Sequence, residues 1–157
     1  MANGRYIENS GTLMEKIETK RLILRKLAKE DAKLIFESWA NDEEVTKYLT
    51  RNPHENIKVT EKILAGWLEE YEEECCYRYG IELKDEKKLM GMIDVVECDG
   101  DVPEIGYVLG RPYWNKGYMS EAFETFLALL KNEGHKKVYI EADQKPGKQC
   151  HNKKERL

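Results

Sequence analysis

The sequence predicts one α+β domain, a meander of antiparallel strands flanked by helices and closed by a last strand that runs parallel to its predecessor. Three observations carry this. A chain of 157 residues, 41% hydrophobic, holds one core and not two ordinary domains. Apolar residues recur at helical spacing in three windows, with β-rich runs between them. Two segments of hairpin-turn composition, Lys-Asp-Glu-Lys and Cys-Asp-Gly-Asp, separate three of those runs.

Residues 1 to 13 show no periodicity and are expected to be a disordered extension outside the domain, which spans 14 to 144. Ile17, Leu22, Ile23, Leu24 and Leu27 sit among Lys and Arg and predict a first strand with one wet face. Ala32, Ile35, Phe36 and Trp39 then predict an amphipathic helix that Asn41-Asp42 ends. In a second helix Thr60 is the expected cap and Leu64, Trp67, Leu68 and Tyr71 the apolar stripe, while Glu69, Glu70, Glu72, Glu73 and Glu74 face water.

Tyr77 to Leu83, Leu89 to Val96 and Glu104 to Leu109 read as the three meander strands. A third helix begins near Gly117, carries Met119, Ala122, Phe123, Phe126, Leu127 and Leu130 on one stripe, and stops at Asn132-Glu133-Gly134. Lys137 to Ala142 is the closing strand.

Composition excludes several functions. No apolar run approaches the roughly 20 residues of a membrane helix, and Met1 to Thr12 lacks a signal peptide's hydrophobic segment, so a cytoplasmic protein is expected. A net charge of −4 argues against a general nucleic-acid binder. Cys75, Cys76, Cys98 and Cys150 make no metal-ligand spacing and read as reduced thiols. His54, His135 and His151 are isolated in sequence and are expected on the surface or in loops.

The informative stretch is Glu104-Ile-Gly-Tyr-Val-Leu-Gly-Arg-Pro-Tyr-Trp-Asn-Lys-Gly-Tyr-Met-Ser-Glu-Ala122, a strand, a short loop and a helix start. Asn115, Lys116 and Gly117 put a glycine and free N–H groups at a helix N-terminus, where the dipole favours an anion such as a pyrophosphate. The glycine also fits a plain tight turn, and spacing alone leaves both open. No Gly-x-x-x-x-Gly-Lys-Ser/Thr loop is present.

This stretch closely resembles the acetyl-CoA-binding motif of the GNAT superfamily, particularly the branch of ribosomal-protein alanine acetyltransferases and spermidine acetyltransferases. Thr19-Lys20-Arg21-Leu22-Ile23-Leu24-Arg25 and Asn41-Asp42-Glu43-Glu44-Val45 extend the resemblance over Ile17 to Asp143. It implies the GNAT fold and acetyl transfer from acetyl-CoA to a primary amine, either a protein N-terminus or a polyamine-like molecule, without a covalent enzyme intermediate. By the resemblance, Tyr107, Val108 and Leu109 offer strand backbone to the pantetheine arm, and Asn115, Lys116, Gly117, Tyr118 and Met119 hold the pyrophosphate. Asn115 stands where the family has glycine, and Met119 where it has a small residue. The resemblance makes Glu104 the candidate general base, with a surface carboxylate the alternative, and Asp94 the reserve. Cys98 reads as a turn thiol. Tyr48, Trp67 and Tyr71 are candidates for the acceptor pocket, although their spacing favours a core role.

After Asp143 the family continues with a helix resembling Asn-x-x-Ser-x-x-(Val/Ile)-x-x-Lys-x-Gly-Phe, whose Asn and Ser contact CoA. Lys145 to Leu157 has no apolar face. Its residues allow codons that, read one base later, spell Asn-Pro-Ala-Ser-Asn-Val-Ile-Ile-Lys-Lys-Asn-Gly-Phe, which implies a frameshift near Gln144. Loss of that helix and of the strands after it would leave Lys137 to Ala142 as a bare sheet edge and 145 to 157 irregular. A homodimer through that edge is then expected, or a CoA-binding module with little turnover.

Overall fold

The computed structural model describes residues 14–49, 52–73, 76–142 and 151–156. Seven strands form one sheet in sequence order: β1 Ile17–Glu18, β2 Leu22–Arg25, β3 Arg78–Leu83, β4 Lys88–Asp99, β5 Val102–Leu109, β6 Lys137–Ala142 and β7 His151–Arg156. Every neighbouring pair is antiparallel except β5 and β6, which are parallel. The fold is the expected α+β mixed sheet, and the crossover between β5 and β6 is the helix α4, Tyr118–Asn132.

Phe126 of α4 is fully buried and meets the Tyr79 ring edge-on at 6.1 Å, so Tyr79 and its cross-strand partner Ile93 look toward α4. Strand alternation then turns Arg78, Asp94 and Gly106 to the opposite face, under α3, Ile57–Glu70. Leu22, Leu24, Ile35, Leu64, Ile81, Leu89, Met90, Ile105, Leu130 and Val138 complete the core, all at or below 1% exposure.

Several local expectations are corrected. The single first strand is a hairpin, because Thr19 turns the chain: its backbone N–H donates to the Leu22 carbonyl at 2.9 Å and its hydroxyl oxygen accepts from the Leu22 N–H at 3.0 Å. The first helix is a composite, with a 3₁₀ turn at Lys29–Asp31, α1 at Ala32–Ile35 and a π turn at Phe36–Ala40, followed by the short α2, Glu43–Thr46. Asp42 does not only end that run; its carboxylate accepts from the Glu44 N–H at 3.0 Å and caps α2. Asn56, not Thr60, caps α3; Thr60 is buried inside it and bonds His54 Nδ1 at 2.7 Å. Glu69, Glu72 and Glu73 are exposed as expected, while Glu70 is half-buried on Arg78; Glu74 lies outside the described residues. Cys98 is on β4, opposite Pro103, and not in a turn.

The C-terminal expectation also changes. Residues 151–156 form β7, paired with β6 along its whole length from Lys137↔Arg156 to Ala142↔His151, so β6 is interior and β7 is the edge. Backbone pairing needs no apolar side chain, which is why a polar segment can add a strand where it could not pack a helix. Residues 145–150 lie outside the described residues.

Candidate donor site at the beta5 to alpha4 junction

β5 is paired on both sides for only part of its length. Against β4 it runs from Val102 to Leu109; against β6 the register is Glu104↔Tyr139 and Ile105↔Ile140 and goes no further. Beyond Ile105 the β5–β6 ladder ends, and among the described residues the β6-facing backbone edge of Gly106 to Leu109 has no strand partner. Tyr107 flanks this edge. It meets Phe123 of α4 edge-on at 5.3 Å and is 37% exposed, and its partial burial raises the phenol pKa. Val108 and Leu109 are buried at 8% and 9%.

The far end of β5 is held tightly. Gly110 lies where a Cβ would stand 3.0 Å from the Ser38 carbonyl oxygen, so the π turn of the first helix presses directly on the β5 exit. The Trp114 indole N–H donates to the Leu109 carbonyl at 2.7 Å, and Tyr48 packs edge-on against Trp114 at 6.2 Å. Of the three aromatics considered for an acceptor pocket, Tyr48 reaches this region. Tyr71 is buried, its hydroxyl donating to the Arg78 carbonyl and accepting from the Leu27 N–H, both at 2.9 Å; Trp67 lies under Arg78 at 5.2 Å.

Past Trp114 the backbone turns left-handed twice, at Asn115 with φ 60° and at Gly117 with φ 80°, and Gly117 is the N-cap of α4. Asn is one of the few residues that tolerates this region, which explains its place where glycine is usual. Left-handed residues interleaved with ordinary ones turn N–H groups toward one concave side and make an anion-binding hollow. The 15-residue helix behind it adds its positive dipole end. Asn115, Lys116 and Gly117 are exposed, Tyr118 is half-buried, and Met119 is half-buried against the core, so its side chain does not fill the hollow.

Arg21, quoted above only as part of the resembling first strand, was not among the expected site residues. From the β1–β2 turn it crosses to α4, donating from Nε to Glu121 Oε1 at 2.8 Å and from Nη1 to the Lys116 carbonyl at 3.0 Å, with its guanidinium 4.4 Å over the Tyr118 ring. Burial alone would raise the Glu121 pKa, but hydrogen bonds from Thr19 and Arg21 outweigh it and hold the carboxyl below its usual value. A pair separated by 100 residues is visible only after folding.

Glu104 is half-buried near the other end of β5. The β4–β5 register shifts between Val95 and Glu97, so Val96 is the extra residue and Glu97 comes to lie opposite Glu104. Asp94 is paired with Gly106, where a Cβ would stand 3.2 Å from Asp94 Oδ1. Its Oδ2 accepts from Arg78 Nε at 3.1 Å, and Arg78 Nη1 donates to Glu70 at 2.5 Å. This pairing already commits one Asp94 oxygen. Leu109 to Glu104 spans five residues, about 17 Å of strand, so a ligand serving both ends is an extended chain with an anionic tail.

Apart from this junction, Glu37, Asn41, Asp42, Glu43, Glu44 and Arg111 line a shallow depression of about 450 Å³. Arg111, just after β5, forms a two-point ion pair with Asp42, and the hydrogen bond from Arg111 lowers the Asp42 pKa. Among the described residues no three His, Cys, Asp or Glu side chains cluster as metal ligands, and no helix is long and apolar enough to cross a membrane.

A family model for the acetyltransferase (GNAT) domain matches residues 21–146, and the chain belongs to the GNAT acetyltransferase family. The uncharacterized N-acetyltransferase p20 of Bacillus licheniformis is 32% identical over 116 residues, 73% of this chain and 65% of that protein. The uncharacterized N-acetyltransferase YoaA of Bacillus subtilis (strain 168) is 36% identical over 107 residues, 67% of this chain and 60% of its own length. The chain thus spans less than two thirds of these relatives. The crystal structure of a GNAT-family acetyltransferase from Bacillus anthracis superposes with a TM-score of 0.68 at 25% identity, covering 80% of this chain and 72% of that one. RimL, a ribosomal-protein alpha-N-acetyltransferase in complex with coenzyme A, shares the fold at a TM-score of 0.71 and 16% identity, covering 82% and 75%.

Proposed function

We propose that this chain is an N-acetyltransferase that moves acetyl from acetyl-CoA to a primary amine, a protein N-terminal amine or a small polyamine-like molecule, by direct attack. The observation that carries this is the parting of β5 from β6 after Ile105, with the left-handed Asn115 and Gly117 at the far end of the same strand. Bound acetyl-CoA supplies the activated acetyl group. Tyr107, Val108 and Leu109 align its arm through their backbone, and Asn115, Lys116, Gly117, Tyr118 and Met119 form the loop against which its pyrophosphate lies. Glu104 takes the proton of the attacking amine, directly or through water, because that amine is charged at neutral pH and cannot attack until it is deprotonated.

One observation favours a second reading, a module that binds CoA with little turnover. The family match ends at residue 146, and no part of the polar Lys145 to Leu157 segment resembles the Asn- and Ser-bearing helix expected there. A frameshift near Gln144 accounts for this, while the homodimer expected through a bare Lys137 to Ala142 edge loses that basis, because β7 pairs along it. Calorimetric titration with acetyl-CoA followed by a thiol-release assay over an amine panel separates the readings: binding with release supports the enzyme, binding without release the module. For Glu104→Gln the rate is expected to fall chiefly at neutral pH, and a pH–rate profile identical to the parent's removes Glu104 as the base.

A further inference from the structure

The left-handed loop before α4 is fastened to the opposite end of the chain by one side chain. Arg21 is bound at four points: Nε on Glu121 Oε1, its own N–H on Glu121 Oε2 at 2.9 Å, Nη1 on the Lys116 carbonyl, and its plane on the Tyr118 ring. Thr19 Oγ1 donates to the same Glu121 oxygen at 2.5 Å, so the carboxylate is anchored from the hairpin as well. Arg21 Nη2 stands 3.4 Å from where a Cβ on Gly117 would be, which places the guanidinium against the N-cap itself.

We propose that Arg21 is a positioning residue for the donor's pyrophosphate, acting by holding the Lys116 carbonyl out of the hollow. This rests on the reading of the Asn115–Gly117 loop as the donor site. Lys116 lies between two left-handed residues, and its peptide carries one carbonyl that must point somewhere. Turned toward the hollow, that oxygen would repel a phosphate and mask the neighbouring N–H groups. Turned toward Arg21, it is neutralised by a charged donor and the N–H groups face outward together. Glu121 largely cancels the arginine's own charge, so the contribution is the shape of the loop and not a stronger field. A planar guanidinium suits the task because one fork serves a carboxylate and a carbonyl at fixed spacing, which an ammonium cannot do.

The test is calorimetric titration of the parent, Arg21→Ala, Arg21→Lys and Glu121→Gln with acetyl-CoA and with S-acetylpantetheine, which has the same thioester arm and no pyrophosphate. Arg21→Ala should weaken acetyl-CoA binding on the order of tenfold, the scale of one charge-assisted hydrogen bond, while S-acetylpantetheine affinity stays unchanged. Arg21→Lys should recover only a small part of the loss. Equal loss for both donors would make Arg21 a general structural strut and overturn the proposal, as would unchanged acetyl-CoA affinity. If Arg21→Ala does not fold, Glu121→Gln, which keeps the side chain's shape and frees the guanidinium, should show the same donor-selective loss. A parent that binds no acetyl-CoA overturns the donor-site reading first, before any substitution is compared.

Discussion

Arg78 and Arg21 are each gripped by a carboxylate and stacked on an aromatic ring, yet they belong to opposite kinds of structure. Arg78 is 9% exposed and bridges Asp94 on β4 to Glu70 on α3, so it joins a helix to the sheet inside the core. Burial disfavours its charge, and the two acids more than restore it, leaving its pKa above the usual value. Arg21 has a side chain 39% exposed and bridges a surface hairpin to an exposed loop. The difference teaches that the same chemical unit specifies packing where solvent is excluded and backbone direction where solvent is near. Losing the first unties a helix from the sheet inside the core; losing the second leaves the fold standing and one loop uncertain.

Substitutions grade this contrast. The largest effect is expected for Arg78→Met, which removes the buried cation that Asp94 and Glu70 share and should cost about 3–5 kcal/mol in denaturant unfolding. Adding Asp94→Asn should return much of that, and failure to do so would show that Arg78 stabilises by packing on Trp67 instead. Next comes Tyr71→Phe, which strands the Leu27 N–H and the Arg78 carbonyl and should cost about 1–3 kcal/mol by the same measurement.

Burial holds the phenols of Tyr71 and Tyr79 up at about 12 against 10.0. A raised folded-state pKa gives stability that is complete below pH 10.0 and is lost as pH rises through about 12, so the melting temperature should fall across that window. Tyr71→Phe should flatten part of the fall.

At the exposed end, Gly117→Ala meets a φ of 80° and should cost about 1 kcal/mol in stability, while acetyl-CoA affinity falls more than the melting temperature suggests. Gly117→Pro should abolish binding in a folded domain, and unchanged affinity would remove the loop from the site. The smallest effect is electrostatic. Glu121 has a depressed pKa, so its contribution is present above the ordinary carboxylate value and is lost as pH falls through the folded value. Melting at pH 7 and in acid should therefore differ less for Glu121→Gln than for the parent.

Local signals placed most elements. Alternating residues placed β3 to β6, and β6 has the predicted bounds, because the left-handed Gly134 after α4 stands just ahead of its first residue, Lys137. The α4 stripe fell in place because its period is set by the helix alone, with Phe126 and Leu130 buried as the pattern demands. The loop from Asn115 to Met119 was legible because left-handed geometry restricts which residues can stand there, and both left-handed positions hold Asn or Gly.

What the sequence could not carry is whatever depends on two distant segments meeting. Neither the grip of Arg21 on Glu121 and Lys116 nor the Glu70–Arg78–Asp94 chain has a local signature, since each partner alone reads as a solvated charge. The bulge that sets Glu97 opposite Glu104 is a property of a strand pair, and the parting of β5 from β6 after Ile105 is a property of the sheet. β7 shows the same limit from the other side: a segment with no apolar pattern becomes a strand because β6 offers unpaired N–H and C=O groups. By itself the sequence determined the periods and the left-handed turn, both short-range backbone physics. The tertiary structure decided which charges are paired, which strand edge is open and what covers it, because those energies exist only between groups that folding brings together.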